Sequence, residues 1–149
     1  MREIRTAVPN DLPDWSNMRT DLWPDTDDEH RQELAEFFAG QSIDIVECYV
    51  AELKGEMVGF IELNIRSFAE GSRNPRVPYV EAWYVAPEFR GAGHGKALMK
   101  QAETWALQQG FQELASDTQV SNHTSIAMHK SMEFIETDRV VCFLKKLKP

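Results

Sequence analysis

The sequence predicts a single α/β domain whose elements follow the order β-α-α-β-β-β-α-β-α-β. Three observations support this prediction. A strand pattern, a glycine-rich loop and a helical pattern follow one another directly between residues 80 and 106. Two apolar strand patterns enclose Lys54-Gly55-Glu56, which is a hairpin signal. The 149 residues are enough for one domain with its own core, and no repeat or linker divides them.

The first half of the chain predicts a strand, two helices and a hairpin. Residues 3–7 read as a short strand, and Pro9-Asn10-Asp11 predicts a turn and a helix cap. The helix that follows presents one apolar face up to residue 23 and ends at Pro24. Acidic residues at 25–29 favour the start of a second helix, which ends near Gly40. Residues 46–53 and 57–65 are the hairpin strands. The loop at 67–78 is long enough to indicate a function.

The second half begins with the strand that Pro87 ends, followed by the glycines and a helix up to Gly110. Residues 113–118 predict a fifth strand. Ser121 or Asn122 caps a last helix that reaches about residue 132, and residues 134–147 predict one or more C-terminal strands.

Composition excludes several classes of function. The formal net charge of −8 argues against a nucleic-acid partner, whose phosphates need Lys and Arg, and permits a cationic partner. No apolar run reaches eighteen residues and the N-terminus does not begin a signal peptide, so we expect no membrane association. Cys48 and Cys142 lack metal or redox spacing, which predicts two buried free thiols, no metal site and a cytoplasmic location.

The three glycines Gly91, Gly93 and Gly95 predict an anion site. Residues without Cβ let successive backbone N–H groups converge, and the start of a helix adds unpaired donors and a positive dipole end. The Walker A pattern requires glycine at position 90 and Ser or Thr at 97, which are Arg and Ala here. The dinucleotide pattern requires glycine at position 96, which is Lys. The alternative is a strand–helix turn that needs small residues only for packing.

The pattern Arg90-x-x-Gly93-x-Gly95, with Tyr84-Val85-Ala86-Pro87-x-Phe89 before it, resembles the pyrophosphate loop of the GNAT acyltransferases. That resemblance implies a mixed, mostly antiparallel sheet flanked by helices, with acetyl-CoA as co-substrate. It also implies that a bulge in the strand exposes the backbone N–H groups of Tyr84 and Val85, which polarise the acetyl carbonyl. The positions expected to bind the cofactor are Trp83, Tyr84, Val85, Arg90, Gly91, Gly93, His94, Gly95, Lys96 and Asn122.

Within that superfamily the whole chain is similar to the aminoglycoside 6′-N-acetyltransferases. The similarity is carried by Leu22-Trp23-Pro24, the Glu81 strand, Ala115-Ser116-Asp117-Thr118 and Phe134-x-Glu136-Thr137-x-Arg139-Val140. It implies acetylation of the 6′-amine of an aminoglycoside and a homodimer paired through the C-terminal regions. By position it assigns substrate contacts to Trp23, Phe68, Glu81, Asp117 and Asp138.

Three residues are candidates for the chemistry. Glu81 and Asp117 lie in otherwise apolar strands, where they could hold a substrate ammonium and take its proton through water. The alternative is that each is an outward-facing polar residue. Many relatives protonate the leaving thiolate with a tyrosine five residues before a Gly-Phe pair; here that pair is Glu133-Phe134 and position 129 is His. His129 is therefore either the general acid or a surface histidine. Asn122 is either a contact of the cofactor's pantetheine arm or a plain helix cap.

The substrate remains open at this point. A polyamine, an amino acid or a protein N-terminus could replace the aminoglycoside within the same chemistry. A function of a different class is a CoA-binding regulatory module without turnover. Glu81 and Asp117 argue against that module, whereas the missing tyrosine and Glu133 leave it open.

Overall fold

A five-stranded sheet organises the molecule, with its strands in the spatial order β1-β2-β3-β4-β5. The computed structural model describes the backbone of residues 1–149 and all side chains except those of residues 26–28. The strands are β1 (Arg2–Thr6), β2 (Glu47–Leu53), β3 (Glu56–Arg66), β4 (Val77–Val85) and β5 (Ala115–Ser116). The first four strands are antiparallel neighbours, and β5 pairs in parallel with β4. The predicted fold class is confirmed.

Helices cover the two faces of this sheet. They are α1 (Leu12–Leu22), α2 (Asp27–Phe38), α3 (His94–Gln108) and α4 (His123–Ser131). Because successive strand residues point to opposite faces, Phe60 packs in one core with Trp15 of α1 and Leu34 of α2. Its neighbour Ile61 packs in the other core with Leu98 of α3. Whether the predicted acidic residues at 27 and 28 cap α2 lies outside the described side chains.

The hairpin prediction is confirmed by the backbone of the turn. Lys54 and Gly55 have φ angles of 52° and 80°. Positive φ at both central residues is the requirement of the two-residue turn whose twist matches that of the flanking strands. β2 and β3 pair directly on either side of it.

Predictions for the C-terminal part are wrong in three respects. β5 contains only Ala115 and Ser116, rather than residues 113–118. Residues 134–149 form no helix or strand within the described backbone. A strand must pair its backbone with the edge of a sheet, and this segment does not pair with the sheet of its own chain. Cys142 lies exposed in this segment, whereas Cys48 is buried and free, as predicted. None of the helices in the described part of the chain is both long and apolar enough to span a membrane.

Candidate active site

The glycine loop, defined here as residues 90–96, follows β4 and includes the first residues of α3. Gly91 and Gly93 both have a φ of 86°, a conformation that side chains with a Cβ rarely adopt, and Gly93 is the residue before α3. The N–H groups of residues 94–96 belong to the first turn of α3, where a helix has no internal acceptors for them. Together they form a set of donors at the positive end of the helix dipole, which suits a phosphate group.

Side chains from two strands hold the loop in place. Arg2 of β1 donates from Nη1 to the Gly93 carbonyl at 2.7 Å, and Trp83 of β4 donates from Nε1 to the Gly95 carbonyl at 2.9 Å. Arg90 donates from Nε to the Val85 carbonyl at 2.7 Å and lies over the Tyr84 ring. The loop is therefore fixed by contacts outside itself.

His94, at the first position of α3, is buried in this loop. It packs edge-on against Phe89. Burial, reinforced by the positive charge of Arg2, lowers the pKa of His94, which favours the neutral ring. Lys96, on the same turn, is exposed.

Next to the loop, β4 and β5 separate. Their last pair is Val80 with Ser116, and β4 continues alone on that side to Val85. On the other side of β4, where it pairs with β3, Glu81 is the extra residue of a bulge. Glu62 pairs with Ala82 and Leu63 pairs with Val80, so Glu81 has no partner residue in β3. The Ala86 N–H donates to Val58 of β3. Because N–H directions alternate along a strand, the Val85 N–H points to the open side of β4 and that of Tyr84 points towards β3. The prediction that both N–H groups are exposed is therefore wrong for Tyr84.

The side chain of Glu81 is already part of an ion pair. Its two carboxylate oxygens accept hydrogen bonds from Arg66 Nε at 2.7 Å and Nη2 at 2.6 Å. Asn64 donates a third, at 3.1 Å. Bidentate pairing of this kind is a strong, oriented interaction. Glu81 is therefore a fixed negative group rather than a freely rotating side chain.

Asp117, just beyond the end of β5, is exposed and connected to the same group of residues. Its Oδ2 accepts a hydrogen bond from the Tyr79 hydroxyl at 2.5 Å. The guanidinium of Arg66 lies 3.7 Å from the centre of the Tyr79 ring. Burial and the neighbouring Asp117 carboxylate both raise the pKa of Tyr79, so the tyrosine stays protonated as the donor. The structure thus joins Glu81 and Asp117 through Arg66 and Tyr79.

His129 of α4 lies at the point where β4 and β5 separate. Its Nε2 is 2.7 Å from Ser116 Oγ, and its Nδ1 is 2.7 Å from the Ser125 carbonyl oxygen. The edges of Trp83 and Phe134 enclose the ring, each with a centroid separation of 5.2 Å. His129 is accordingly a packed and hydrogen-bonded residue, unlike a solvated surface histidine.

The other predicted residues are distributed around this centre. Asn122 accepts the Ser125 N–H with its side chain at 3.0 Å, which is the geometry of a helix cap. Phe68 is 64% exposed on the loop after β3. Asp138 lies on the C-terminal segment and accepts the Arg139 N–H; among the described side chains no contact connects it with Glu81 or Asp117.

Trp23 borders an open cavity of about 510 Å³ between α1, α2 and the residues after β5. The guanidinium of Arg19 lies 5.1 Å from the centre of the Trp23 ring, and His30 lies beside it. The rest of the lining is polar at Asp25, Glu29, Glu33 and Gln119 and apolar at Leu22 and Pro24. Gln119 of this lining is two residues after Asp117 in the chain.

Comparison with known proteins shows the family of this chain. The sequence profile of the acetyltransferase (GNAT) family matches residues 12–134. The chain belongs to the GNAT acetyltransferase family. An aminoglycoside N(6′)-acetyltransferase type 1 from Klebsiella aerogenes is 42% identical over 146 residues, covering 97% of this chain and 96% of that protein.

Two solved structures of that kind superimpose closely on this GNAT chain. AAC(6′)-Iy in complex with the bisubstrate analogue CoA-S-monomethyl-acetylneamine gives a TM-score of 0.89 at 30% identity, covering 99% of both chains. The apo 6′-N-acetyltransferase AAC(6′)-IG from Acinetobacter haemolyticus gives 0.88 at 34% identity, covering 98% of this chain and 99% of that one.

Sequence reasoning missed four residues of this candidate site. Asn64 and Arg66 alternate on β3, and Tyr79 precedes Glu81 by two positions on β4, so a two-residue period was the available signal. Ser116 was visible only as a neighbour of Asp117. Their contacts depend on which strand residues face one another, and no local pattern reports that.

A buried polar group fixes α1 to the sheet beneath the cavity. Glu62 of β3 is fully buried; its Oε2 accepts a hydrogen bond from Trp15 Nε1 at 2.9 Å and lies 2.9 Å from Arg19 Nε. Burial raises the pKa of Glu62 to about 7 in spite of the neighbouring Arg19 cation. Arg19 also donates to Glu33 of α2 at 2.7 Å. One carboxylate therefore positions the helix pair that carries Trp23.

Proposed function

We propose that this chain transfers the acetyl group of acetyl-CoA to the 6′-amine of an aminoglycoside by direct attack of the amine on the thioester. The observation that carries the proposal is the position of two acidic side chains, Glu81 and Asp117, where β4 and β5 separate beside a glycine loop suited to phosphate. The names of its near full-length relatives support the same activity.

The glycine loop would hold the pyrophosphate of acetyl-CoA. Gly91, Gly93 and Gly95 leave room for the phosphates, the N–H groups of residues 94–96 donate to them, and Arg90 and Lys96 add positive charge. Trp83 fixes the loop through Gly95. Asn122, the residue before α4, would contact the pantetheine arm of the cofactor. The Val85 N–H, on the open side of β4, would polarise the acetyl carbonyl, with Tyr84 beside it.

The amine must lose a proton before it can attack. For a primary amine with a lysine-like pKa of about 10.4, deprotonation at pH 7 costs roughly 4.6 kcal/mol. We assign this step to Asp117, acting through water, because its hydrogen-bond partner is the neutral Tyr79 hydroxyl. Glu81, paired with Arg66, contributes a fixed negative charge close to the ammonium. His129 provides the proton for the departing thiolate.

Recognition of the substrate would use several carboxylates and an aromatic ring. An aminoglycoside carries several cationic amines, and an exposed ion pair contributes only about 0.2–1 kcal/mol, so one carboxylate is not sufficient. Trp23 and Phe68 would flank the sugar rings, and Glu81, Asp117 and Asp138 would contact the ammonium groups. The net charge of −8 favours the approach of such a cation.

The test is the release of free coenzyme A from acetyl-CoA with different acceptors. Kanamycin should be acetylated, whereas an analogue with a hydroxyl in place of the 6′-amine should give at most a tenth of that rate. Spermidine and a set of peptides serve as acceptors from the competing substrate classes. Rapid acetylation of spermidine or a peptide, with kanamycin ignored, would overturn the substrate assignment.

The proposal includes a homodimer formed through the C-terminal segment, defined here as residues 134–149. Its large apolar side chains are unusually exposed, with Phe143 and Leu144 both at 91%. A soluble chain rarely leaves such a group uncovered, and a second copy would cover it. The free thiols of Cys48 and Cys142 suit the reducing cytoplasm, where we place the enzyme.

A further inference from the structure

The hydrogen bonds of His129 define where its protons are. Nδ1 lies 2.7 Å from the carbonyl oxygen of Ser125 and 3.3 Å from its hydroxyl oxygen; the shorter contact is to an atom that can only accept, so it requires a hydrogen on Nδ1. In the neutral ring Nε2 is then the acceptor, and it lies 2.7 Å from Ser116 Oγ. The Ser116 hydroxyl therefore donates to Nε2. The result is an oriented serine–histidine pair in which a backbone carbonyl fixes the tautomer.

The pair occupies the gap between the two halves of the proposed site. Ser116 is the last residue of β5, directly opposite Val80 and next to Asp117, at the point where β4 and β5 separate. Trp83 contacts the His129 ring with its edge and reaches the glycine loop through its bond to Gly95. The pair thus lies between the acidic side chains on one side and the loop on the other.

We propose that Ser116 and His129 form a proton relay that takes a proton from the attacking nitrogen and returns it to the sulfur of coenzyme A. This inference rests on the proposed acetyl transfer and adds Ser116 to its catalytic residues. It replaces a simple donation by His129, because the neutral ring has no hydrogen on the nitrogen that faces Ser116. The histidine must accept a proton before it can give one.

The protons balance over the two stages. When the amine lone pair attacks the acetyl carbon, the carbonyl π electrons move to oxygen and the nitrogen becomes positively charged. Its N–H proton passes to Ser116 Oγ while the Ser116 hydroxyl proton passes to His129 Nε2, which gives an imidazolium. The C–S bond then breaks as the carbonyl re-forms, and its electron pair goes to sulfur. The same two transfers run in reverse, and the sulfur receives the proton.

The experiment measures the single-turnover rate of acetyl transfer with enzyme in excess over acetyl-CoA. The variants are Ser116→Ala, Ser116→Thr, His129→Gln and the double variant Ser116→Ala/His129→Gln. Ser131→Ala is the matched control, since its hydroxyl donates to the Met128 carbonyl on the exposed side of the same helix. Calorimetric affinity for acetyl-CoA and thermal melting are recorded for each protein.

A relay predicts a specific pattern among these variants. Ser116→Ala and His129→Gln should each lose about 100-fold or more in rate, the usual contribution of positioned acid–base groups. The double variant should lose no more than the worse single variant, since both remove the same unit. Ser116→Thr, which keeps the hydroxyl, should recover most of the rate. The dependence of the wild-type rate on the deuterium fraction of the water should be curved, as for two protons moving together, and linear in Ser116→Ala.

Several results would overturn the relay. Additive losses in the double variant, or a rate loss matched by an equal loss of acetyl-CoA affinity, would indicate separate or merely structural roles. Normal transfer by Ser116→Ala would refute the relay and leave the proposed function intact. Wild-type transfer to spermidine but not to kanamycin would refute the substrate and leave the relay test valid with spermidine. No transfer by wild type to any amine would refute both proposals.

Discussion

Gly93 combines a backbone requirement with a functional one. Its φ of 86° disfavours any residue with a Cβ, and an added Cβ would lie 3.4 Å from the Arg2 guanidinium. The guanidinium is the flexible end of an exposed side chain and can move aside, so the fold should survive a substitution. The glycine loop, which ends in the first turn of α3, should lose its fit to phosphate.

We expect Gly93→Val to weaken acetyl-CoA binding at least tenfold, as measured by calorimetry. Gly110→Val is the control, because Gly110 has a φ of 89° at the other end of α3 and open space around it. The control carries the same backbone strain and should bind acetyl-CoA normally. Unchanged affinity in a folded Gly93→Val variant would remove the loop from the cofactor site.

Asp117 is the residue whose charge the proposed mechanism needs most. Asp117→Asn keeps an acceptor for the Tyr79 hydroxyl and removes the base, so the variant should fold and lose at least tenfold in kcat/KM for kanamycin, about 1.4 kcal/mol. Steady-state kinetics provide the measurement. Glu113→Gln is the control, because Glu113 is an exposed carboxylate whose hydrogen bonds among the described side chains are with Ser72 and Asn74. Equal kinetics in both variants would leave Asp117 without a catalytic role.

At the scale of elements, Glu62 links α1 to β3 and makes that link sensitive to pH. Its pKa is raised from a usual value of 4.5 to about 7, chiefly by burial. The folded state therefore binds a proton more tightly than the unfolded state between these pH values. Stability from this group is fully present below pH 4.5 and is lost as the pH rises to about 7, by roughly 3 kcal/mol.

Replacement of Glu62 by Gln should remove this dependence, since an amide does not titrate. The amide oxygen can still accept from Trp15, so we expect similar stability to wild type near pH 5 and a smaller decline towards pH 8. Urea unfolding at both pH values gives the comparison. Glu52→Gln, at the partly exposed ion pair with Arg5, is the control and should follow the wild-type curve. Parallel wild-type and Glu62→Gln curves would contradict the assignment.

Sequence reasoning succeeded for elements whose signals are local. The turn at Lys54-Gly55, the Asn122 cap and the glycine loop each depend on residues within a few positions of one another. It failed where a second strand decides the outcome. Arg66 meets Glu81 only because of the register of β3 against β4 and the bulge at Glu81. Residues 134–147 have strand-like composition, but a strand also needs an edge to pair with, and that edge is not encoded locally.

At the scale of the whole molecule, the charge and the apolar surface are unevenly distributed. The acidic residues Glu29 and Glu33 line the cavity beside Trp23, whereas the exposed apolar residues concentrate near the chain end. β5, with two residues, leaves an outer edge of the sheet to which residues 134–149 of the same chain do not pair. In a dimer, the C-terminal segment of each copy could pair with the exposed sheet edge of the other copy.

The dimer makes a prediction about mass and about two side chains. Light scattering at micromolar concentration should give twice the chain mass of 17.1 kDa. Phe143→Lys/Leu144→Lys should shift the protein to monomer, because burying each of these side chains contributes about 1.5–3 kcal/mol, together at least about 100-fold in Kd. Leu107→Lys is the control, since Leu107 is 66% exposed on α3 and is not part of the segment, so this variant should remain dimeric. The double variant Phe143→Lys/Leu144→Lys should fold normally, because both side chains are exposed in the single chain. A wild-type monomer at these concentrations, or a dimer that survives both substitutions, would mean that something other than a second C-terminal segment covers these residues.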